Sequence, residues 1–344
     1  MTGILIENCK IEGGCLGSVY SRDGRIVRIS EDRTQTVPGD TEKIDGGGGS
    51  IIPGLIDSHC HPFEYGWLKR NVDLRGTSNI TGIRLRLYSA VQKAKPGEWV
   101  TGMGWDQEAF SDKRMPNRLD LDDVSPDNPV ALSRICGHIA LLNGKAIGAL
   151  GFQARIGSEY ERDSSGELTG IVKEAALAEV FGKVPRSPER AASDFQSVEI
   201  EAGRLGLTTL HCILSPEGFA EELEALAALD SSGSLSLRLR AYIPPGAVDH
   251  VERKGFRKKM NNERLRLNGV KIYADGSLGA RTAALREPYS DDPSNTGILR
   301  LSDEELGALV DRVDTMGYQI IIHAIGDRAI EQAIDALAIV AGTR

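Results

Sequence analysis

The sequence lacks what would make it a nucleic-acid binder, a membrane protein or a disulfide-stapled secreted domain. Positive charge is not in excess: 41 Lys and Arg stand against 49 Asp and Glu, a net of −8. Clustered cations that would grip a phosphate backbone are therefore not expected, and nucleic acid is excluded as a partner. The five cysteines, Cys9, Cys15, Cys60, Cys136 and Cys212, form an odd, scattered set. They imply no disulfide framework and fit a reducing compartment. No apolar run approaches the roughly 18 residues of a membrane helix. The opening MTGILIENCKIEGG also lacks the cationic start and apolar core of a secretory leader. The expectation is a soluble, cytoplasmic protein with no membrane partner.

What is present is an ordinary globular balance, 40% hydrophobic and 26% charged over 344 residues, enough for a large core and about two domains. Glycine is the outlier, 39 residues against a usual share of about 7%, which signals tight turns and close backbone approaches. The first fifty residues read as short strands at Ile4 to Cys9, Leu16 to Tyr20 and Arg25 to Ile29, followed by a Gly46 to Gly49 connector. An apolar run from Ile51 ends in Asp57-Ser58-His59-Cys60-His61. A helix is expected over Thr81 to Ala94, where Ile83, Leu87 and Val91 recur at helical spacing. Residues at about 64–188 are otherwise polar and turn-rich and read as a lid-like insertion. Beyond them helices and strands alternate. Strands are expected at Gly206 to His211, Leu235 to Ile243, Leu265 to Tyr273 and Tyr318 to His323, with a final helix at Asp327 to Val340. That alternation is the grammar of a parallel sheet built from βα units.

Three of those strand ends carry chemistry. His59 and His61 lie two apart, so on a strand they face the same side and form a two-nitrogen clamp suited to zinc or a similar divalent ion. Alternatively they are polar residues of a βα loop. Cys60 faces the other way and reads as a packed thiol. Lys271 sits inside the apolar strand VKIYAD, where burial disfavours an ammonium. Either its head group reaches the strand end or pairs with Asp275, or the neutral amine takes up carbon dioxide as a carbamate that can bridge metals. His323 ends the run IIIH and is the third imidazole at the C-terminal end of an expected parallel strand, the end at which barrel sites are built.

The ordered segments PGLIDSHCH, GWDQ, MPNRLDLDDVSPDNPVAL, GHIALLN, DSSGELTGIVKE, GVKIYADGSLGARTAAL and HAIGDRAI together resemble the amidohydrolase superfamily. Within it they resemble amidohydrolase family 3, the YtcJ-like branch. The resemblance implies an α/β protein of the metal-dependent hydrolase type, a TIM-like barrel over residues 53–344 with a partial β-sandwich over residues 1–52. It also implies one or two divalent ions, with zinc first, held by His59, His61, His323 and carboxylated Lys271, and hydrolysis of amide-like, non-peptide C–N bonds in small molecules. His138, Trp105 and Asp106 lie in matching segments: His138 could hold a substrate carbonyl while Trp105 and Asp106 line the pocket, or all three could belong to a polar network of the lid. Asp275 is a candidate catalytic residue that could instead orient a ligand or cap the following loop. Arg281 could contact an anionic substrate group or form a salt bridge. His211 points toward the same rim, and His250, in a charged stretch, reads as exposed.

Two features of the family pattern have no counterpart among these strands: a sixth-strand histidine ligand and an eighth-strand aspartate that acts as general base. The expected barrel is thus truncated after its fifth βα unit, with two unpaired edges. A second copy of the chain or a complementary C-terminal polypeptide is the expected cover. The alternative to an active hydrolase is a catalytically defective metal-binding or interaction protein on the same fold.

Overall fold

The computed structural model of the protein describes residues 3–11, 14–32, 35–173, 175–279 and 281–341. Glu174 and Ala280, which fall in two of the segments quoted above, lie outside the described residues. The chain divides into two units, Met1–Ile56 and Asp57–Arg344.

The first unit is a four-stranded sheet of β1 (Ile4–Lys10), β2 (Leu16–Arg22), β3 (Arg25–Ser30) and β4 (Glu42–Asp45), in the order β3-β2-β1-β4. Strand β1 pairs antiparallel with β2 and parallel with β4. Leu5, Cys9, Val19 and Tyr20 are the sheet's buried apolar residues. The sequence pattern does not reveal β4: its four residues, EKID, are all exposed and hold one apolar side chain.

Strand β5 (Leu55–Cys60) carries the first histidine into the second unit. The insertion follows, and here expectation and structure part. The supposedly turn-rich segment holds a six-stranded sheet of β6 (Val72–Asp73), β7 (Val100–Trp105), β8 (Val130–Arg134), β9 (Ile139–Leu142), β10 (Tyr160–Arg162) and β11 (Leu168–Lys173), ordered β10-β11-β9-β8-β7-β6. Its strands are two to six residues long, and β7 contains Gly102 and Gly104, so periodicity alone gives little signal. Two apolar clusters form around it, one centred on Leu74, Leu87, Trp105 and Leu132, the other on Leu142, Ile147, Phe152 and Val180.

Beyond the insertion the expected grammar is present. β12 (Leu207–Ile213), β13 (Arg238–Ile243), β14 (Leu265–Tyr273) and β15 (Gln319–His323) join β5 in one sheet, ordered β15-β14-β13-β12-β5. The pairs β12/β13, β13/β14 and β14/β15 are all parallel, and the sheet is curled. Helices at Pro188–Arg204, Phe219–Ser231, Asp303–Thr315 and Asp327–Ala341 alternate with these strands. Asp303–Thr315 begins where it does because Ser302 and Glu305 form a reciprocal capping box. Leu265, Leu267, Val270 and Ile272 of β14 join the core shared with the helices, which leaves Lys271 and Tyr273 on the opposite face. The shift in phase between Leu267 and Val270 is a register irregularity between β13 and β14.

Gly269 lies at that irregularity. A Cβ there would stand 2.2 Å from the carbonyl oxygen of Gln319 in β15. Gly269→Ala is therefore expected to push β15 away and to cost roughly 1–3 kcal/mol, the scale of overpacking in a closed core. A shift in the midpoint of urea unfolding measures the loss, and an unchanged midpoint would show that the strands separate freely.

Candidate active site at the strand ends

The end of β5 presents His59 and His61 with ring centroids 5.6 Å apart. The Asp57 carboxylate accepts the backbone N–H of His59 at 3.0 Å, which stiffens the last turn of the strand. His61 is the N-cap of the helix Pro62–Arg70, whose first position is the proline that suits it. Its Nδ1 is buried without a hydrogen-bond partner, and the nearest carboxylate oxygen, Oε2 of Glu64, is 3.7 Å away. Such an orphaned nitrogen fits a ligand-binding role.

Lys271 is 2% exposed. Its ammonium neither reaches solvent nor pairs with Asp275. Nζ lies 5.2 Å from the centroid of the Tyr273 ring, and burial pulls its pKa down. His323 is paired with Tyr273 across β14 and β15, ring centroids 5.4 Å apart. Its Nε2 is 2.8 Å from the carbonyl oxygen of Gly276. Donation to that carbonyl makes Nε2 the protonated nitrogen and leaves the lone pair on Nδ1. The pKa of His59 is lowered, first by burial, then by the charges of Lys271, His61 and His323, with Asp57 opposing. The structure thus gathers His59, His61, Lys271 and His323 into one electrostatic neighbourhood. Among the described residues no group of three His, Cys, Asp or Glu side chains is placed to hold a metal ion.

Asp275 is fully buried, and its carboxylate accepts three backbone N–H groups, from Ala284 at 2.9 Å, Ile325 at 3.0 Å and Gly326 at 2.8 Å. Its Oδ1 is also 3.6 Å from Nε2 of His323. This is the loop-capping and orienting alternative. Three of the roughly four acceptor sites of its carboxylate are thus engaged by backbone groups, which favours this alternative over a catalytic role.

His211, on β12, belongs to a polar row that sequence reasoning missed. The Tyr242 hydroxyl lies 3.2 Å from His211 Nδ1, donates to Gln319 Oε1 at 2.7 Å and accepts from Asn268 Nδ2 at 3.0 Å. Four neighbouring strands each contribute one member. Only the polar residues interrupting apolar strands hinted at the row. Burial and then the Arg240 charge lower the pKa of His211. Cys60 packs as expected; its thiol donates to the His211 carbonyl at 3.4 Å, and burial pushes its pKa up to about 12.

Trp105 and Asp106 are held by partners within the insertion. Trp105 is fully buried and donates its indole N–H to the Leu132 carbonyl at 2.8 Å, so it is a core residue with no surface to offer a substrate. Asp106 caps a short turn at Glu108 and pairs with Arg134 at 2.8 Å. His138 is exposed on the turn between β8 and β9. Arg281 pairs with Asp291 through Nη2 at 2.6 Å on the surface, the salt-bridge alternative. His250 is half-buried rather than exposed, lying between the rings of Phe219 and Phe256.

Comparison with known proteins extends this picture. A profile described as the amidohydrolase family matches residues 42–344. The chain is 31% identical over 336 residues to the Bacillus subtilis (strain 168) protein named as the amidohydrolase YtcJ, covering 95% of this chain and 63% of that one. It is 25% identical to the N-substituted formamide deformylase of Arthrobacter pascens, covering 98% and 66%. A solved metal-dependent hydrolase of Pyrococcus furiosus superimposes with a TM-score of 0.80 at 28% identity, over 98% of this chain and 70% of that one. The chain therefore spans a little under two thirds of the length of these curated relatives. No helix among its described residues is long and apolar enough to cross a membrane.

Proposed function

The chain belongs to the amidohydrolase family, and from that premise we propose that it hydrolyses an amide-like, non-peptide C–N bond of a small molecule at the strand-end group. The observation that carries this reading is Lys271. A lysine that is 2% exposed, whose charge bears on His59 and which has no carboxylate partner, is costly to keep charged and suited to keep neutral. Its neutral amine can add to the carbon of carbon dioxide and release one proton, and the resulting carbamate supplies two anionic oxygens. With His59, His61 and His323 it forms a donor set of imidazole nitrogen and oxygen that suits zinc or a similar divalent ion. When bound, such an ion polarises the substrate carbonyl and makes water more acidic.

The side chains have separate tasks in this reading. The hydrogen bond from His323 Nε2 to Gly276 keeps the Nδ1 lone pair available. The lowered pKa of His59 keeps its imidazole neutral and able to donate its lone pair. Tyr273 covers the lysine amine and helps to exclude bulk water.

Elemental analysis of the purified chain, together with hydrolysis of a panel of N-acylated amines, tests the proposal. Bound divalent metal is expected, with chelation removing activity and added zinc restoring it. Lys271→Ala is expected to lower turnover at least about a hundredfold, since even losing a group that supports a ligand costs 10- to 100-fold. Partial recovery with added acetate would identify the missing carboxylate. A metal-free protein, or a Lys271→Ala variant as active as its parent, would overturn the reading.

A further inference from the structure

A cavity of about 260 Å³ opens beside the strand-end group. It lies between the helix Pro62–Arg70, the segment 181–187 that leaves the insertion, and the loop after β12. Its walls are apolar: Phe63, Trp67, Phe181, Val184 and Pro185 line it. Phe63 is buried and stacks near Phe195 with ring centroids 5.4 Å apart, so this wall is anchored in the core.

The polar lining has an unbalanced charge. Two of its cations are already engaged: Arg70 donates through Nε and Nη2 to the two carboxylate oxygens of Asp194, both at 2.9 Å, and Arg190 pairs with Glu98. The third, Arg186, lies near the buried carboxyl of Glu222 and is a single cation against the acids that remain. Glu64, Glu217 and Glu221 remain on the lining without a Lys or Arg ion pair among the described residues. The cavity's lining reaches the strand-end group through Glu64, whose carboxylate oxygen Oε2 stands 3.7 Å from Nδ1 of His61.

We infer that this cavity is the subsite for a substrate substituent carrying a positive charge on an apolar stem, an inference that rests on the strand-end group being the reaction centre. An aromatic or branched alkyl stem loses its water against Phe63 and Phe181. Its cationic head gains the carboxylates of Glu217 and Glu221, with the Trp67 ring close enough to the lining to contribute through its electron-rich face. A carboxylate on the same stem meets uncompensated acids and is rejected, so selectivity comes from repulsion as well as attraction.

Three probes of one shape separate these forces: 2-phenylethylammonium, 2-phenylethanol and phenylacetate, titrated calorimetrically into the full chain. The ammonium is expected to bind most tightly and phenylacetate least. In the Glu217→Gln, Glu221→Gln double variant, ammonium affinity is expected to fall about three- to tenfold, the scale of two solvent-facing charge contacts, while that of the alcohol stays the same. Phenylacetate binding as tightly as the ammonium, or an ammonium affinity indifferent to the double substitution, would overturn the inference. A parallel assay compares amides with and without a cationic substituent, where KM should fall and kcat stay level for the cationic member. Probe binding in the expected order without hydrolysis of any amide would sink the hydrolase reading and leave the cavity assignment standing. Hydrolysis with no preference for the cation, and no probe binding, would do the reverse.

Discussion

Asp275→Ala is expected to lower folding stability by on the order of 2–6 kcal/mol, because three backbone N–H groups, two buried and one part-buried, lose their common acceptor and each buried orphan costs about 1–3 kcal/mol. Those donors belong to two different loops, Ala284 after β14 and Ile325 with Gly326 after β15. The carboxylate therefore ties together the segments that follow the Lys271 and His323 strands. Urea unfolding measures the loss as a shift in midpoint at constant slope. Hydrogen exchange should show the amides of Ala284, Ile325 and Gly326 losing protection together. Asp275→Asn keeps one acceptor oxygen but turns an NH2 toward a donor, so its loss should be of similar sign and smaller size. A drop below about 1 kcal/mol for the alanine variant, the worth of one ordinary hydrogen bond, would mean that the loops hold without the carboxylate.

A second large effect concerns Glu222, which is 7% exposed in the helix Phe219–Ser231 and accepts the backbone N–H and the hydroxyl of Ser215. Burial raises its pKa from 4.5 to about 7, against the lowering effect of the Ser215 hydrogen bonds and Arg186. The folded state thus holds the proton more tightly than the unfolded chain does. The stability that this contributes is fully present below about pH 4.5 and is lost as pH rises toward about 7, amounting to about 3 kcal/mol. Glu222→Gln removes the titration while keeping an acceptor oxygen for Ser215. Relative to its parent, the variant should gain about 3 kcal/mol between pH 4.5 and 8. Unfolding free energies of both proteins across that interval give the difference directly. A difference that stays flat would place the carboxyl in the ordinary range.

Strands β12 to β15 were legible because apolar residues recur along each between segments of helical periodicity, and β14 spans the expected Leu265–Tyr273. The strand-end residues were legible for a related reason: a histidine or lysine is conspicuous where everything around it is apolar. The insertion was not legible. A strand such as IALL is as compatible with a short helix as with a strand, and only its partners β8 and β11 decide. The roles of Trp105 and Asp275 were hidden for the same physical reason, since both are set by backbone groups distant in sequence, Leu132 and Gly326 among them. Tyr242, Asn268 and Gln319 signal nothing individually, and their hydrogen bonds exist only once four strands are in register.

The insertion's two apolar clusters are distinct from the one that seats the curled sheet on its helices. One wall of the cavity, at Phe181 to Ser187, leaves the insertion, whereas the histidines and Lys271 stand on the sheet. Mutational tolerance is thereby partitioned. Substitutions absorbed by the insertion's own packing can reshape what the cavity admits while leaving the strand ends in place, so selectivity and chemistry can drift at separate rates within one polypeptide.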